Sequence, residues 1–497
     1  MSEERAPTSV SRVGFWGGLA VGLLIIASAG ALGTEGGVTA GAIRCIGVTV
    51  IVATWWVTEA LPIGATALIP AATFPLLGIT PAKSIAPVYA NSFILLLLGG
   101  FLLAMALERS GAHRRLALYV LLGVGTSPRR LVFGFLAAAA ALSMWISNTA
   151  TALIMMPVAM AIVDRGLEAE GERAQNFGAA VMLCTAYGAS LGGMGTPIGT
   201  PPNLIAIGAL EHAYPNGPSV TFLEWMTFAV PVVIILVPIL WVLVTRVLLR
   251  VPNDLQLGAR DLIRDELRAL GPWRAPEKRS LTIFAIAAIL WVTREDVVLG
   301  PSLTIPGWAT LAGLGAAPDD ATVALIAALA AFMMPSGDAD RSRLLPWSTA
   351  AKAPWDLVLL FGGGMALAKG FDDTGLSAWL GRALATFGQG SEVVFVAVCA
   401  FGAWVATEFI SNTALANITM PVLAAAARQT DIDPRLIILP TALACSCAFM
   451  LPASTGPNAI VFGTGRVRIG QMARTGLLLN LVAWAVIVVW SLAMYGR

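Results

Sequence analysis

The 497-residue chain is 57% hydrophobic and 12% charged, with a mean hydropathy of +0.79, whereas an ordinary soluble domain carries roughly 25% charged residues. Its 31 basic and 29 acidic residues leave a net charge of +2, with no basic cluster interleaved with aromatics for nucleic acid. A soluble domain and a nucleic-acid binder are both excluded, and most of the chain belongs in lipid.

A membrane-spanning helix needs about 20 apolar residues. Candidate spans fall near 14–33, 40–58, 60–78, 90–108, 176–211, 222–249, 280–293, 318–335, 355–371, 435–463 and 472–494. The run from Phe15 to Leu32 follows Arg5 and Arg12 but has no small-residue cleavage site, so it reads as a first span rather than a signal peptide. Two more apolar stretches, 130–164 and 390–427, are each interrupted by a Ser-Asn-Thr triplet, at 147–149 and 411–413, and read as re-entrant hairpins. The expected architecture is an all-α polytopic membrane protein of about eleven spans and two hairpins. All five cysteines lie in apolar stretches and lack metal or redox spacing, so they are expected to be core residues.

Cytoplasmic loops carry the excess of Lys and Arg. With the N-terminus inside, 23 of the 31 basic residues fall on the inner side, including Arg109, Arg114, Arg115, Arg341 and eight within 246–279. The reading is a multi-pass cell-membrane (inner or plasma membrane) protein with a cytoplasmic N-terminus and an external C-terminus. Residues 1–38 hold the N-terminal segment and first helix, 39–250 a first unit, 251–279 an amphipathic cytoplasmic connector, and 280–497 a second unit.

The two units are related. Between 145–157 and 409–421 nine of thirteen positions agree, and the same offset of 264 matches Leu95, Leu96, Gly99, Gly100, Leu103, Ala104 and Gly111 with identical residues in 356–375. Five full spans per unit is an odd number, so the second copy must be inverted. Inverted repeats are typical of secondary transporters, whose sites form at the repeat interface from discontinuous helices. Each unit also has a second interruption after its hairpin, "GTPIGTPPN" (195–203) and "LPASTGPN" (451–458), where Gly and Pro free backbone groups that lipid cannot satisfy. The first broken helix spans 176–211 and the second 435–463.

Residues 131–163 contain no Lys, Arg, Asp, Glu or His, and 393–427 contain only Glu408. An anion bound there has no arginine clamp, and a dianion in a low-dielectric site needs countercharge. Bound cations supply it, and hydroxyl, amide and carbonyl oxygens without a carboxylate cluster suit Na⁺. A lone SNT triplet in an apolar helix more often serves packing; the repeated triplet beside matched breaks points to a binding site. Close packing accounts for Gly99-Gly100 and Gly363-Gly364. Glu408 is either functional or bonded to the hairpin backbone, and His113 and His212 are expected to be solvated.

The paired motifs "SMWISNTATA" with "GTPPN" and "TEFISNTALA" with "STGPN" resemble the divalent-anion/sodium symporter (DASS) family over essentially the whole chain. The resemblance implies an eleven-helix, two-hairpin protomer with a scaffold and a moving transport unit, working as a homodimeric elevator. It implies a first Na⁺ site at Ser143, Ser147, Asn148 and the Gly199 carbonyl, and a second at Thr407, Ile410, Asn412 and Ser454. Substrate carboxylates would meet Ser147, Asn148, Thr149, Ser411, Asn412 and Thr413 of the tips, with Thr200, Pro201 and Thr455 of the breaks. Gly456 stands where the first repeat has Pro201, and is expected to leave the second break more flexible. The expected activity is Na⁺-coupled import of C4-dicarboxylates such as succinate, malate or fumarate. The rivals are a Na⁺-independent exchanger, a sulfate or citrate transporter on the same fold, or a channel. No nucleophile–base pair or metal cluster suggests an enzyme.

Overall fold

The structure is a computed structural model that describes residues 9–32, 38–215, 217, 220–300, 303–338, 342–388, 391–430 and 432–496. Arg5 and Arg341, used in the charge count, lie outside the described residues. The first half runs α1 (Ser9–Leu32), α2 (Ala40–Thr58), α3 (Ile63–Thr66), α4 (Ile69–Leu76), α5 (Ala82–Ile85), α6 (Ser92–Ser110), α7 (Ala112–Val124), α8 (Pro128–Ser143), α9 (Asn148–Glu170), α10 (Gln175–Gly193), α11 (Pro201–Ala213) and α12 (Phe222–Val242). Helix α12 continues through a π-helical turn, Leu243–Leu248. After α13 (Ala259–Ala269) come α14 (Ala275–Val292), the antiparallel ribbon β1 (Val297–Gly300) and β2 (Leu303–Ile305), α15 (Trp308–Leu311), α16 (Asp320–Met333) and α17 (Trp347–Ala350). The chain ends with α18 (Trp355–Thr374), α19 (Leu376–Gly388), α20 (Glu392–Thr407), α21 (Asn412–Ala427), α22 (Pro434–Cys445), α23 (Gly456–Gly463) and α24 (Ile469–Tyr495).

Among the described residues, six helical stretches are long and apolar enough to cross a membrane: Ser9–Gly30, Ala40–Thr58, Ala82–Ser110, Asn148–Gly193, Phe222–Leu248 and Ile469–Tyr495. The expected all-helical, multi-pass architecture holds, apart from the small ribbon, which composition did not signal. The stretch 60–78 is two short helices: Pro62 stands at the cap of α3, and Pro70, which has no N–H to donate back to the preceding turn, lies in the first turn of α4.

The halves share element boundaries. Helices α7, α8 and α9 start at 112, 128 and 148; α19, α20 and α21 start 264 residues later at 376, 392 and 412. Gly111 and Gly375, also 264 apart, end α6 and α18 in the left-handed region at φ 82° and 76°, where a side chain is strained, and turn the chain into α7 and α19. The halves also interlock. Helix α6 packs on α14 and α16 of the second half, while α18 packs on α2, α3 and α4 of the first. A Cβ at Gly99 would lie 2.6 Å from Ala324 Cβ, and one at Gly363 2.7 Å from the Ala67 carbonyl oxygen. Gly99 and Gly363 are 264 apart, and Ala67 sits in α3–α4 where Ala324 sits in α16, so one contact occurs twice with the halves exchanged. Close packing explains these glycines.

The connector is docked rather than free. Arg115 of α7 and Glu277 of α14 are 3% and 1% exposed and meet at 3.0 Å; Arg115 also donates to the carbonyls of Leu270, Gly271 and Pro272 and lies 4.9 Å from the Trp273 ring centroid. Removing one partner leaves an uncompensated buried charge, at a cost of about 3–5 kcal/mol. Arg115→Ala is expected to lower the melting midpoint in detergent strongly, and adding Glu277→Leu is expected to recover part of it. A midpoint unchanged in Arg115→Ala would show that the pair does not hold the connector. His113, expected to be solvated, is buried at 7% exposure with Nδ1 3.3 Å from the Leu107 carbonyl, because α7 folds back onto α6. His212 is half-buried beside Asp372, at 3.2 Å.

Candidate functional site

Both triplets sit where two helices fail to join. Helix α8 ends at Ser143 and α9 begins at Asn148; α20 ends at Thr407 and α21 begins at Asn412. Ser147 accepts from the Ala150 amide and caps α9 in extended conformation, as serine does at a helix start. The second breaks follow the same plan. Pro201 opens α11 after Thr200, and Pro457 lies in the first turn of α23 after Thr455, whose hydroxyl accepts from the Asn458 amide. Proline lacks an N–H and suits a first turn.

Each break is closed by an asparagine. Asn203 Nδ2 donates to the carbonyls of Gly193 (2.9 Å) and Thr196 (2.7 Å); Asn458 Nδ2 donates to those of Ala448 and Leu451, each at 3.0 Å. These pairs correspond at an offset of 255, so both loops fold alike. The clamp was present in the quoted "GTPPN" and "STGPN" motifs, where the final Asn signals it.

The four interruptions converge on one cavity of about 290 Å³. It is lined by Ser147, Asn148 and Thr149, by Ser411, Asn412 and Thr413, by Gly199, Thr200 and Pro201, and by Ser454, Thr455 and Gly456. All nine residues expected to meet substrate line it. Of the expected cation ligands, Ser147, Asn148, Gly199, Asn412 and Ser454 line it, while Ser143, Thr407 and Ile410 stand behind the tips. Ser143 and Thr407 are fully buried, and each donates its hydroxyl to the tip asparagine Oδ1 at 2.7 Å: Ser143 to Asn148, Thr407 to Asn412. The Thr407 hydroxyl also lies 2.6 Å from the Cys445 carbonyl oxygen, so its single proton serves one of these two acceptors at a time.

No lining residue carries a charge. The field comes from the backbone: four helix N-termini, those of α9, α11, α21 and α23, have their capping residues on the cavity wall, and exposed N–H groups there favour an anion. Helices α8, α10, α20 and α22 end just before the tips and breaks in the chain, and carbonyls at helix C-termini favour cations. Thr151 Oγ1, Ser190 Oγ and Asn203 Oδ1 in the first half, and Ser446 Oγ and Asn458 Oδ1 in the second, are buried without a hydrogen-bond partner. None of these five belongs to the expected Na⁺ ligand sets, but oxygens left without donors near the tips and breaks are groups that a hard cation such as Na⁺ satisfies.

The remaining wall is apolar: Phe101, Ala104, Trp145, Ile198 and Leu357. Motif reasoning missed these side chains; only the position of Phe101 beside the repeated Gly99-Gly100 block, and of Ile198 inside the break, marks them. Beside the flexibility expected at Gly456 there is a steric reason for glycine, since a Cβ there would collide with the Thr149 side chain. Glu408 does not line the cavity. Its carboxylate accepts from the amides of Phe449 (2.9 Å), Met450 (3.0 Å) and Leu451 (3.3 Å), and from Asn480 Nδ2 (2.7 Å), binding the second break rather than the hairpin.

The profile described as "Sodium:sulfate symporter transmembrane region" matches residues 15–496. The "Sodium-dependent dicarboxylate transporter SdcS" of Staphylococcus saprophyticus is 37% identical over 449 residues, 89% of this chain and 84% of that one. The Staphylococcus aureus protein of the same name is 36% identical over 451 residues, with the same shares. Among solved structures, the YdaH transporter of Alcanivorax borkumensis gives a TM-score of 0.57 at 17% identity, covering 97% of this chain and 98% of that one. MtrF of Neisseria gonorrhoeae gives 0.57 at 15%, covering 98% and 96%. At such identities these two structures share a fold with the chain.

Proposed function

This chain belongs to the sodium:sulfate symporter transmembrane family, as its motifs anticipated, and from that premise we propose that it imports C4-dicarboxylates with Na⁺ by alternating access. It is a membrane transporter and not an enzyme. The observation that carries the substrate and the coupling is the single cavity where two Ser-Asn-Thr tips and two helix breaks meet with no charged side chain on the wall. A dianion there is met by hydroxyls, amides and helix N-termini, and its charge is offset by Na⁺ held behind the tips. The expected ligand sets, Ser143, Ser147, Asn148 and Gly199, then Thr407, Ile410, Asn412 and Ser454, are the proposed cation sites.

The apolar wall favours a carbon spine between two carboxylates. Phe101, Ala104, Ile198 and Leu357 match methylene groups and have nothing to offer sulfate, which is polar on every side. The names of the staphylococcal relatives support the same substrate class.

Alternating access is supported by unequal tips. Trp145 is 4.9 Å from the Phe284 ring centroid, edge to face, and stacks on Phe222, whereas Phe409, 264 positions on, is 76% exposed. In the opposite state the two tips exchange these environments. The two units, 39–250 and 280–497, are proposed as inverted repeats, supported by the exchanged Gly99–Ala324 and Gly363–Ala67 contacts. The basic-residue distribution supports a cytoplasmic N-terminus and an external C-terminus. A homodimer, as the family resemblance implies, completes the proposal.

Proteoliposomes are expected to accumulate radiolabelled succinate only with an inward Na⁺ gradient, with malate and fumarate competing better than sulfate or citrate. Uptake or counterflow undiminished in choline would replace symport by exchange.

A further inference from the structure

The helices fall into two bodies that touch unequally. Helices α8–α11 and α20–α23, which build the tips and breaks, pack on one another, while α6 packs on α14 and α16, and α18 on α2, α3 and α4. Between the bodies, α18 packs on α21 and α11. Its counterpart α6 has no comparable packing, among the described residues, on α9 and α23, which correspond to α21 and α11. In a carrier whose halves exchange environments, that missing contact belongs to the opposite state.

The contact that is made ends in a cluster of charged and polar groups. Asp372 of α18 lies 3.2 Å from Nε2 of His212, in the last turn of α11, and 3.3 Å from Arg428, which ends α21. Arg428 Nε also donates to the Ala213 carbonyl oxygen at 2.7 Å, tying α11 to α21 before it reaches α18. Each position has a counterpart. Glu108 stands 264 before Asp372, each three residues ahead of the glycine that ends its helix, Gly111 or Gly375. Asp164 stands 264 before Arg428, while Arg466 and Val467 stand 255 after Glu211 and His212. Arg466 holds Asp164 at 2.7 Å, joining α9 to the end of the second broken helix as Arg428 joins α21 to the first. Glu108 is half-buried, and its carboxylate has no ion-pair or hydrogen-bond partner among the described residues.

We propose that Asp372, Arg428 and His212 latch the present state, and that Glu108 and Arg466 form the counterpart latch of the opposite one. The inference rests on the alternating-access reading above. When the body that carries the cavity shifts along the other, α18 leaves α21 and α11, and α6 takes up the packing it now lacks on α9 and α23. Glu108 then arrives beside Asp164 and Arg466 as Asp372 now stands beside Arg428 and His212. A half-buried carboxylate gains by meeting a guanidinium. The two latches are unequal. Asp372 faces a guanidinium and an imidazole, whereas Glu108 must share Arg466 with Asp164, and like charges brought together oppose the sharing. The chain is thereby biased toward the present state. On the sidedness proposed above the latch that is made lies at the external ends, so the favoured state is the one that faces the cytoplasm.

The test is cross-linking of Glu108→Cys/Arg466→Cys in proteoliposomes by a short bis-maleimide, read as the linked peptide by mass spectrometry. Asp372→Cys/Arg428→Cys, the pair now in contact, is expected to bridge readily, and its failure to do so overturns the latch at Asp372. The Glu108→Cys/Arg466→Cys pair is expected to bridge weakly, with a yield that rises at least threefold when Asp372→Asn is added. No bridging in either background overturns the counterpart latch, and a yield that Asp372→Asn leaves unchanged overturns the latch at Asp372. If Glu108→Cys/Arg466→Cys yields no folded protein, Glu108→Cys/Asp164→Cys probes the same approach with the same expectations. Charge is tested separately by succinate uptake. Glu108→Arg is expected to slow it at least fivefold, and Glu108→Arg/Arg466→Glu to restore at least half the wild-type rate; a swap no better than the single change overturns the ion pair. Wild-type uptake measured alongside separates the two readings: inactive wild type sinks the transporter itself, whereas active wild type without bridging sinks only the latch.

Discussion

Asn148→Ala and Asn412→Ala are each expected to reduce succinate uptake a hundredfold or more while leaving a folded, monodisperse protein. Each asparagine lines the cavity and is braced from behind by a hydroxyl, Ser143 or Thr407, at 2.7 Å. In the proposed site its amide is therefore pre-set to face substrate on one side and cation on the other. A hydrogen bond to a charged group contributes about 1.5–3 kcal/mol, and losing such a bond together with a cation ligand exceeds the roughly 2.7 kcal/mol that corresponds to a hundredfold. Rates near wild type in either variant, with normal expression and melting behaviour, would remove the tips from the site. A loss in one variant only would mean that the two halves do not share one cavity.

Gly456→Ala is expected to lower kcat/KM for succinate at least tenfold. The added methyl group meets the Thr149 side chain across the cavity and must push the hydroxyl away from the bound acid. The mechanism predicts non-additivity. Thr149→Ala alone loses one hydroxyl contact, worth about 1 kcal/mol, and the double variant should then be no worse than Thr149→Ala, because the obstruction is gone. A double variant that loses the sum of both effects would place the harm of Gly456→Ala in the backbone of the break instead.

The polar residues that line the cavity were legible because interruption is conspicuous in an apolar chain. Ser-Asn-Thr and the Gly-Pro clusters stand out against residues 131–163, which hold no ionisable group, and the shared offset of 264 marked the tips as a pair. The cavity's apolar wall was not legible, because Phe101, Ile198 and Leu357 look like any other span residue until the breaks bring them together. Helices α7 and α19 escaped notice for a related reason. They are 13 residues each, too short to cross the membrane, and their amphipathic pattern merges with the apolar runs beside them. The burial of His113 followed from this, since its neighbours Arg114 and Arg115 suggested a loop. Glu408 was recognised as unusual, but its partners lie 41 to 72 positions away, beyond the reach of local pattern.

The uncharged wall also bears on fidelity. A carrier with a lysine or arginine at its centre can seat an acid alone and cross with it, dissipating whatever gradient drives it. If the proposed site is the one that carries substrate, an acid arriving by itself finds only dipoles there, too weak to replace its hydration, and the step that would carry it across without sodium is the one the lining makes unfavourable. Protection against slippage therefore resides in what the cavity omits, and a single added positive side chain at Ala104 or Ile198 is the shortest route to a leaky, futile cycle.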